Sequence, residues 1–205
     1  MSAIRHQLVA MHRAGHARPV NDMRMDPLSA EIDTLRPAAV LIAVTERADG
    51  EGHGPGIILI ERPARMRTHG GQVAFPGGAI DPGENAVQAA LREANEEIGL
   101  PLSKVHVIGE TDGYRTGTGF TVTPVLATIP PDLTLRANPA EVDEWFEVPL
   151  SFALDPANHE QKEVFWRGAM RSYIEFHWDG HRIWGATAGM IANLSRRLHW
   201  AERAA

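Results

Sequence analysis

Cysteine is absent from the 205 residues of this chain. Its absence excludes disulfide bonds and thiol catalysis, and it agrees with a reducing compartment. Long hydrophobic runs are missing too, because the longest, VLIAV at 40–44 and IILI at 57–60, have the length of strands rather than of membrane spans. The first residues also lack the apolar core of a secretory signal. We therefore expect a cytoplasmic protein with no membrane partner.

An excess of positive charge is a third missing feature. The formal net charge is −6, which argues against a general nucleic-acid-binding protein. Internal repeats, low-complexity tracts and long linkers are absent as well. A chain of this length can bury a sizeable core without disulfides or structural zinc. We predict an N-terminal helix and loop extension over residues 1–36, followed by one main domain over residues 37–200.

Short apolar segments separated by turn residues predict the secondary structure. Strands are expected at 37–46, 56–62, 104–111, 119–129 and 145–148, and helices at 85–98 and 186–199. The segment YIEFHWDGHRIW contains Asp179-Gly180, a strong signal for a type I′ hairpin turn. Strands interleaved with a few helices indicate an α/β or α+β sandwich with a mixed sheet.

The helix predicted at 85–98 carries a concentration of negative charge in LREANEEIGL, residues 91–100. Asn85 and Gln88 fit a capping box, and Gly99 fits the end of the helix. At about 100° per residue, three glutamates fall within an arc of roughly 100° away from the apolar stripe, and they predict one exposed face: Glu93, Glu96 and Glu97. Like charges at this spacing, near the negative end of the helix dipole, are unfavourable. The face is either a solvated charged surface or a site for a hard divalent cation such as Mg²⁺ or Mn²⁺.

A glycine-rich segment precedes this helix and extends the pattern. Five residues separate Gly78 from Glu84, and seven more lead to REANEEIGL at 92–100. This spacing resembles the Nudix box, GX5EX7REUXEEXGU with U an aliphatic residue, and every fixed position of the box is filled. The resemblance implies a Nudix hydrolase, with an α/β/α sandwich built on a mixed sheet. It also implies metal-dependent cleavage of a nucleoside diphosphate linked to another group. A bound metal suits that reaction because it neutralises the diphosphate charge and lowers the pKa of a coordinated water.

The resemblance also implies which residues hold the metal. Glu93 and Glu97 match the main ligands, and Glu96 completes the cluster. Gly78 is expected to add its backbone carbonyl. Mg²⁺ or Mn²⁺ is the implied cofactor.

Other residues of the box have supporting roles in this resemblance. Arg92 would orient a glutamate, and Glu84 would act near the metals. The general base stays open, because families that share the box take it from different carboxylates. In NPAEVDEWFEVPL the loop candidates are Glu141 and Glu144, and an ordinary acidic surface loop would explain both equally well.

Arginines directly upstream of the box carry the evidence for the substrate. No acid lies between Arg62 and Asp81, and this basic patch suits an additional phosphate, although a solvated strand end is the alternative. The segment ILIERPARMRTHGGQVAFPGG resembles the second signature of coenzyme A pyrophosphatases, LLTxR(S/A)x3Rx3Gx3FPGG, and departs from it at Ile60 and Pro63. The resemblance covers roughly residues 37–198. It implies hydrolysis of coenzyme A, or of its acyl or oxidised forms, to 3′,5′-ADP and 4′-phosphopantetheine. The matching substrate-binding candidates are Arg62, Arg67, His69, Phe75 and Gly77, with Arg65 in the same patch.

Other functions and sites remain open at this stage. The same chemistry would serve ADP-ribose, a dinucleotide or a nucleoside triphosphate, and a non-catalytic ligand-sensing module is disfavoured because the glutamates are intact. We expect a small-molecule nucleotide as the partner and no nucleic acid, and a homodimer is left open.

Three aromatic or basic residues are candidates for adenine or pantetheine contacts, with ordinary packing as the favoured interpretation: Tyr114, Arg115 and Phe120. Packing is also favoured over metal binding for His177 and His181, and over base stacking for Trp145, Trp166, Trp178 and Trp184.

Overall fold

The computed structural model describes residues 2–21, 23–48, 50–66, 69–166 and 169–200. The helices are α1 Ala3–His16, α2 Ala86–Ile98, α3 Leu150–Leu154 and α4 Gly185–Arg197. The strands are β1 Arg36–Thr45, β2 Gly56–Glu61, β3 Val73–Ala74, β4 Gly77–Ala79, β5 His106–Glu110, β6 Tyr114–Arg115, β7 Phe120–Ile129, β8 Glu144–Pro149, β9 Glu160–Trp166, β10 Ala169–Trp178 and β11 His181–Trp184. Short 3₁₀ turns occupy Pro27–Glu31, Leu102–Lys104 and Pro156–Asn158.

The strands form one mixed sheet and one smaller antiparallel sheet. In the larger sheet the order is β3-β2-β1-β7-β5, with β4 beside β1, β6 beside β7 and β8 beside β2. Strand β1 runs parallel to β7, whereas its pairings with β2 and β4 are antiparallel. The smaller sheet has the order β11-β10-β9. The mixed sheet predicted from the sequence is confirmed.

Helices and the smaller sheet cover the mixed sheet on both faces. Helix α2 packs on one face against Leu41 of β1 and Ile58 of β2. Helices α1, α3 and α4, together with β10 and β11, pack on the other face against Ile42 and Leu59. Because both faces are buried, β1 and β2 read as continuous apolar runs rather than as alternating strands. The predicted α/β/α sandwich is confirmed.

Helix α2 has the predicted ends, but one of the three glutamates lies on its buried face. The capping box of Asn85 and Gln88 is present, and Gly99 ends the helix in the left-handed conformation with φ 65°. The prediction of one exposed glutamate face is wrong, because Glu97 is buried with 2% of its surface exposed. The buried stripe consists mainly of alanines, whose small side chains let the helix approach the sheet closely: Ala86, Ala89, Ala90 and Ala94.

The predicted strands are confirmed, with shifts of a few residues at their ends. The hairpin of β10 and β11 turns at Asp179 and Gly180, whose φ values of 46° and 85° suit a type I′ turn. Helix α3 and strands β3, β4, β6 and β9 were not predicted. Strand β9 pairs with β10 and thereby completes the smaller sheet.

The N-terminal helix α1 is part of the core on the side opposite to α2. Leu8 and Met11 are buried in the cluster that also holds residues of α3 and α4. The boundary predicted between residues 36 and 37 stays a prediction. Within the described chain, no helix has the length and hydropathy that a membrane crossing requires. The cytoplasmic location also stays a prediction.

Candidate active site

Three carboxylates converge where α2 ends beside the mixed sheet. Glu93 and Glu97 of α2 and Glu141 of the loop before β8 each bring one carboxylate oxygen within 4.8 Å of the others. The loop is held there because the last carbonyls of a helix need donors from outside. The backbone N–H of Arg136 donates to the carbonyl of Ile98, and that of Asn138 donates to the carbonyl of Glu97, at 2.9 and 2.8 Å. The segment that satisfies the helix end therefore also delivers Glu141 to the cluster.

The turn at Gly77 and Gly78 forms the opposite wall of this cluster. The backbone N–H of Gly77 donates a 2.9 Å hydrogen bond to Oε2 of Glu97. Gly78 pairs with Ala39 of β1, and a Cβ atom at position 78 would lie 2.5 Å from a carboxylate oxygen of Glu93. A side chain at this position would therefore displace the glutamate. The two glycines let the main chain approach both carboxylates of α2.

The electrostatics of the cluster favour a bound cation. The pKa of Glu97 is raised to about 8, mainly by burial and also by the nearby charges of Glu93 and Glu141, although the Gly77 N–H and Arg62 act in the opposite direction. Arg62 lies 4.0 Å from Glu97, so its positive charge offsets the rise in pKa only weakly. Carboxylate oxygens are the donors that Mg²⁺ and Mn²⁺ prefer. The residues present therefore fit a hard divalent cation.

Arg92 holds the carboxylates around the cluster in place. It binds Glu84 through two parallel hydrogen bonds, Nε to Oε1 at 2.8 Å and Nη2 to Oε2 at 3.0 Å. Its Nη1 donates to Glu93 at 2.8 Å and to Glu96 at 3.1 Å, and its Nη2 donates to the carbonyl of Ala79. These partners raise the pKa of Arg92, and Arg92 in turn lowers the pKa of Glu84. The guanidinium thus fixes Glu93 against the Gly78 turn.

The structure does not bring Glu96 into the three-carboxylate group. Glu96 is exposed and contacts Arg92 instead. Glu144 also lies elsewhere, in a second group with Glu61 and His181. Its members come from β8, β2 and β11, and His181 stacks on Phe146 with ring centroids 3.7 Å apart. Sequence reasoning missed this group because no spacing along the chain connects these strands.

The predicted substrate-binding residues occupy different environments. His69 is exposed, has φ 59° and bonds to Gln72. Phe75 is buried in the core on the side opposite to α2, so its side chain anchors the turn that follows it. Arg65 bonds to Asp143 at 3.4 Å and to the carbonyl of Pro139. Arg67 lies outside the described residues.

The remaining candidates from the sequence are mostly packing residues. Tyr114 is buried in the core, and Phe120 carries the guanidinium of Arg36 on its ring at 4.2 Å, while Arg115 is exposed. In the hairpin, His177 pairs with Arg182 and His181 with Trp178, so the two histidines are not opposite each other, and His181 lies with Glu61 and Glu144 instead. Among the tryptophans, Trp145 and Trp178 pack on the two cores and Trp184 contacts Tyr173, whereas the side chain of Trp166 is outside the described set.

Comparison with known proteins agrees with this geometry. The family model of the NUDIX domain matches residues 35–167. The chain is 42% identical over 164 residues to the Uncharacterized Nudix hydrolase NudL of Escherichia coli (strain K12), covering 80% of this chain and 83% of that protein. It is 40% identical over 167 residues to the protein of the same description from Photorhabdus laumondii, covering 81% and 87%.

A solved structure shows the same fold at a lower identity. The crystal structure of the MutT protein from Methanosarcina mazei Go1 superposes with a TM-score of 0.52 at 15% identity, covering 84% of this chain and 99% of that one. The family match spans most of the chain, and it includes the helix and the glycine turn that carry the carboxylates. The chain therefore belongs to the Nudix hydrolase family, whose enzymes act on phosphoanhydride bonds.

Proposed function

We propose that the protein is a Mg²⁺- or Mn²⁺-dependent pyrophosphohydrolase that cleaves the diphosphate of coenzyme A, or of its acyl or oxidised forms. The products are 3′,5′-ADP and 4′-phosphopantetheine. The observation that carries the chemistry is the convergence of Glu93, Glu97 and Glu141 on the Gly77–Gly78 turn. A bound divalent metal would supply charge neutralisation on the diphosphate and an activated water.

The residues of the chain have separate parts in this proposal. Glu93 and Glu97 hold the cation together with the carbonyl of Gly78. Arg92 keeps Glu93 in position, and Glu84 keeps Arg92 in position through its two hydrogen bonds. Arg92 is therefore a positioning residue, because its contacts run through other side chains. Glu96 contacts the same guanidinium, and a weaker contribution to the metal site is proposed for it.

The general base is proposed to be Glu141. It is the loop carboxylate that lies with the two glutamates of α2, whereas the other loop candidate, Glu144, lies with Glu61 and His181. In this position a carboxylate oxygen of Glu141 can accept the proton that the attacking water loses. Proton acceptance by a positioned carboxylate needs this kind of hydrogen-bonding reach.

The position of the coenzyme A signature supports the substrate assignment. Its segment begins in β2 and ends in the turn at the cluster, and Arg62 within it lies 4.0 Å from Glu97. The loop between β2 and β3 is closed by hydrogen bonds from Gly71 N–H to the Arg62 carbonyl and from Arg62 N–H to the Gln72 carbonyl, at 2.9 and 3.0 Å. Arg62, where this loop begins, therefore borders the carboxylates that would act on the diphosphate.

A panel of substrates tests the proposal. The protein is incubated with Mg²⁺ or Mn²⁺ and with coenzyme A, acetyl coenzyme A, ADP-ribose, a dinucleoside polyphosphate or a nucleoside triphosphate, and the products are separated by chromatography. We expect 3′,5′-ADP to be released from coenzyme A at a higher kcat/KM than any product from the other compounds. Absence of that product, with turnover of another member of the panel, would overturn the substrate and leave the chemistry intact. No metal-dependent turnover of any member would favour a ligand-sensing module instead.

A further inference from the structure

A cavity of about 620 Å³ lies on the side of the mixed sheet opposite to α2. The segment 24–28, strand β6, the smaller sheet and the start of α4 form its walls. Its lining includes the rings of Tyr114, Tyr173 and Trp184. A volume of this size, with mainly apolar and aromatic walls, is typical of a site for a small organic molecule.

A smaller cavity of about 140 Å³ adjoins the first one and has a different character. Arg24 and Ile174 belong to the linings of both cavities, so Arg24 stands at their junction. The smaller cavity is also lined by His159, Ser195 and Arg196. Two arginines, Arg24 and Arg196, therefore border a space large enough for a phosphate or carboxylate group, while the Ser195 hydroxyl donates to the Leu154 carbonyl and His159 bonds to the Ala153 carbonyl.

Among the described residues, no acid forms an ion pair with Arg24 at this junction. Within the described chain its guanidinium makes no ion pair or side-chain hydrogen bond, and its Nε atom is buried without a partner. Burial, together with repulsion from Arg196, lowers the pKa of Arg24. Two other arginines with an unpartnered Nε have an acid nearby, since Arg47 pairs with Glu147 and Arg62 lies by Glu97. Arg24 is half-buried, and partial desolvation of a cation without a partner is costly, so an anion bound beside Arg24 would offset that cost.

Two other polar residues in the lining of the larger cavity, Asp26 and Ser172, are compatible with an anionic ligand, and Arg171 and Arg182 line it as well. The acid in its lining, Asp26, is already engaged by the backbone N–H groups of Leu28 and Gly117, both at 2.9 Å. The hydroxyl oxygen of Ser172 is buried and has no hydrogen-bond partner. The hydroxyl of Ser172 and the guanidinium of Arg24 thus line the cavity, and the carboxylate of Asp26 already accepts two hydrogen bonds.

The cavities are separate from the glutamate cluster. Tyr114 is opposite Val122, Val122 is opposite Ala38, and Ala38 is opposite Ala79, which follows Gly78. Three strand spacings of about 4.8 Å place the backbone of Tyr114 about 14 Å from that of Ala79. A ligand in the larger cavity therefore does not need to touch the carboxylates.

We propose that the two adjoining cavities form a second binding site for an organic anion. An apolar or aromatic body occupies the larger cavity, and a phosphate or carboxylate group binds Arg24 at the junction. Arginine suits this role because its planar fork donates two hydrogen bonds to either group. The site goes beyond the proposed hydrolase activity and does not depend on it.

Calorimetry with the full-length, metal-free protein in EDTA tests this site. The probes are 1-naphthyl phosphate, 1-naphthoate and the neutral 1-naphthamide. We expect the anions to bind more tightly than the amide, by roughly tenfold to hundredfold, as charge-assisted hydrogen bonds imply. The variant Arg24→Gln should lose that advantage for the anions and keep the affinity for the amide. Arg24→Lys should retain part of the preference for the anions, because the positive charge remains.

A matched control removes a positive charge elsewhere. Arg13 is exposed on α1, and Arg13→Gln changes the net charge by the same amount without touching either cavity. Preference for the phosphate or for the carboxylate would assign the head group, and either result supports the site. Equal affinity of the wild type for the amide and the anions would overturn it, and that comparison needs no variant. Equal anion affinities of the Arg24→Gln and Arg13→Gln proteins would overturn it as well.

Discussion

Glu97 and Gly77 are joined across the candidate active site by a hydrogen bond of 2.9 Å from the glycine N–H to the carboxylate. The next residue along the turn, Gly78, faces the carboxylate of Glu93 so closely that a Cβ atom would overlap it. One tight backbone turn therefore positions two carboxylates that are one helical turn apart on α2. This relationship explains why the motif needs glycines and glutamates together.

Replacing Glu97 by glutamine should abolish turnover without weakening the fold. A loss of several kcal/mol of metal-assisted stabilisation corresponds to roughly a thousandfold lower kcat. The metal-free variant should unfold at a denaturant concentration equal to or above that of the wild type, because a buried carboxylate is replaced by a neutral group that still accepts from Gly77. Steady-state kinetics and urea unfolding in EDTA measure the two effects.

The control for this prediction is Glu96→Gln. Glu96 is exposed and lies outside the three-carboxylate group, so its loss should reduce kcat much less than that of Glu97. Wild-type kcat in the Glu97→Gln protein would contradict a metal role for this residue.

Adding one methyl group at Gly78 should disturb catalysis more than folding. In Gly78→Ala the new Cβ meets the carboxylate of Glu93 at about 2.5 Å, and that flexible carboxylate can move away. A displacement of about 1 Å can lower kcat up to about a hundredfold. Kinetics at several Mg²⁺ concentrations should show a higher metal requirement. Gly113→Ala is the matched control, because its Cβ would meet only a carbonyl at 3.7 Å; equal kinetics for both variants would speak against the close approach.

The local features of α2 could be predicted from the sequence, whereas its orientation could not. Asn85, Gln88 and Gly99 act through backbone groups within a few residues, so their pattern determines where the helix begins and ends. The burial of Glu97 depends on which side of the helix approaches the sheet. The sequence signal for this side was the helical spacing of residues 86, 90, 94 and 97. Alanine, however, indicates a buried face less strongly than valine or leucine does.

Contacts between distant segments could not be predicted from the sequence pattern of any single segment. The sequence offered Glu141 and Glu144 as equal candidates, and only the docking of residues 136–138 on the end of α2 separates them. The pairing of β9 with β10 and the cavity beside Arg24 depend in the same way on tertiary packing. The family motif predicted the fold because the motif itself spans the β4 turn and α2.

Acidification should weaken the fold partly through His159. Burial, with repulsion from Arg24, lowers the pKa of His159 below the ordinary value of 6.5, although its bond to the Ala153 carbonyl opposes the shift. The native state therefore takes up this proton less readily than the unfolded chain. The contribution is fully present above pH 6.5 and is lost as the pH falls below it. The free energy of unfolding should fall between about pH 7.5 and about pH 5.5 by more in the wild type than in His159→Gln.

The exposed His177 provides the comparison for that measurement. His177→Gln removes an exposed imidazole of β10 and so controls for the loss of one histidine. An equal loss of stability in the wild type and in His159→Gln would show that His159 does not contribute.

The pair of Arg197 and Asp112 should be a major support of the fold. Arg197 is 8% exposed, its Nε donates to Asp112 at 2.6 Å, and its Nη2 contacts the second oxygen. Removing one partner leaves a buried charge, so Arg197→Ala or Asp112→Ala should each cost about 3 to 5 kcal/mol of unfolding free energy. The double variant Arg197→Met and Asp112→Leu should cost less than either single change. Urea unfolding of the three proteins measures this, and single variants as stable as the wild type would contradict it.

Arg197 also connects α4 to the N-terminal segment, so deletion of α1 should destabilise the fold. Nη1 of Arg197 donates to the carbonyls of Gly15 and Arg18 at 3.0 and 2.8 Å, while Leu8 and Met11 fill the core. Deleting residues 1–18 would remove these acceptors and expose that part of the core. We expect the shortened chain to unfold at a clearly lower urea concentration, in a single transition. An unchanged midpoint would instead support an independent extension over residues 1–36, because an extension that contributes nothing to the core can be lost without cost.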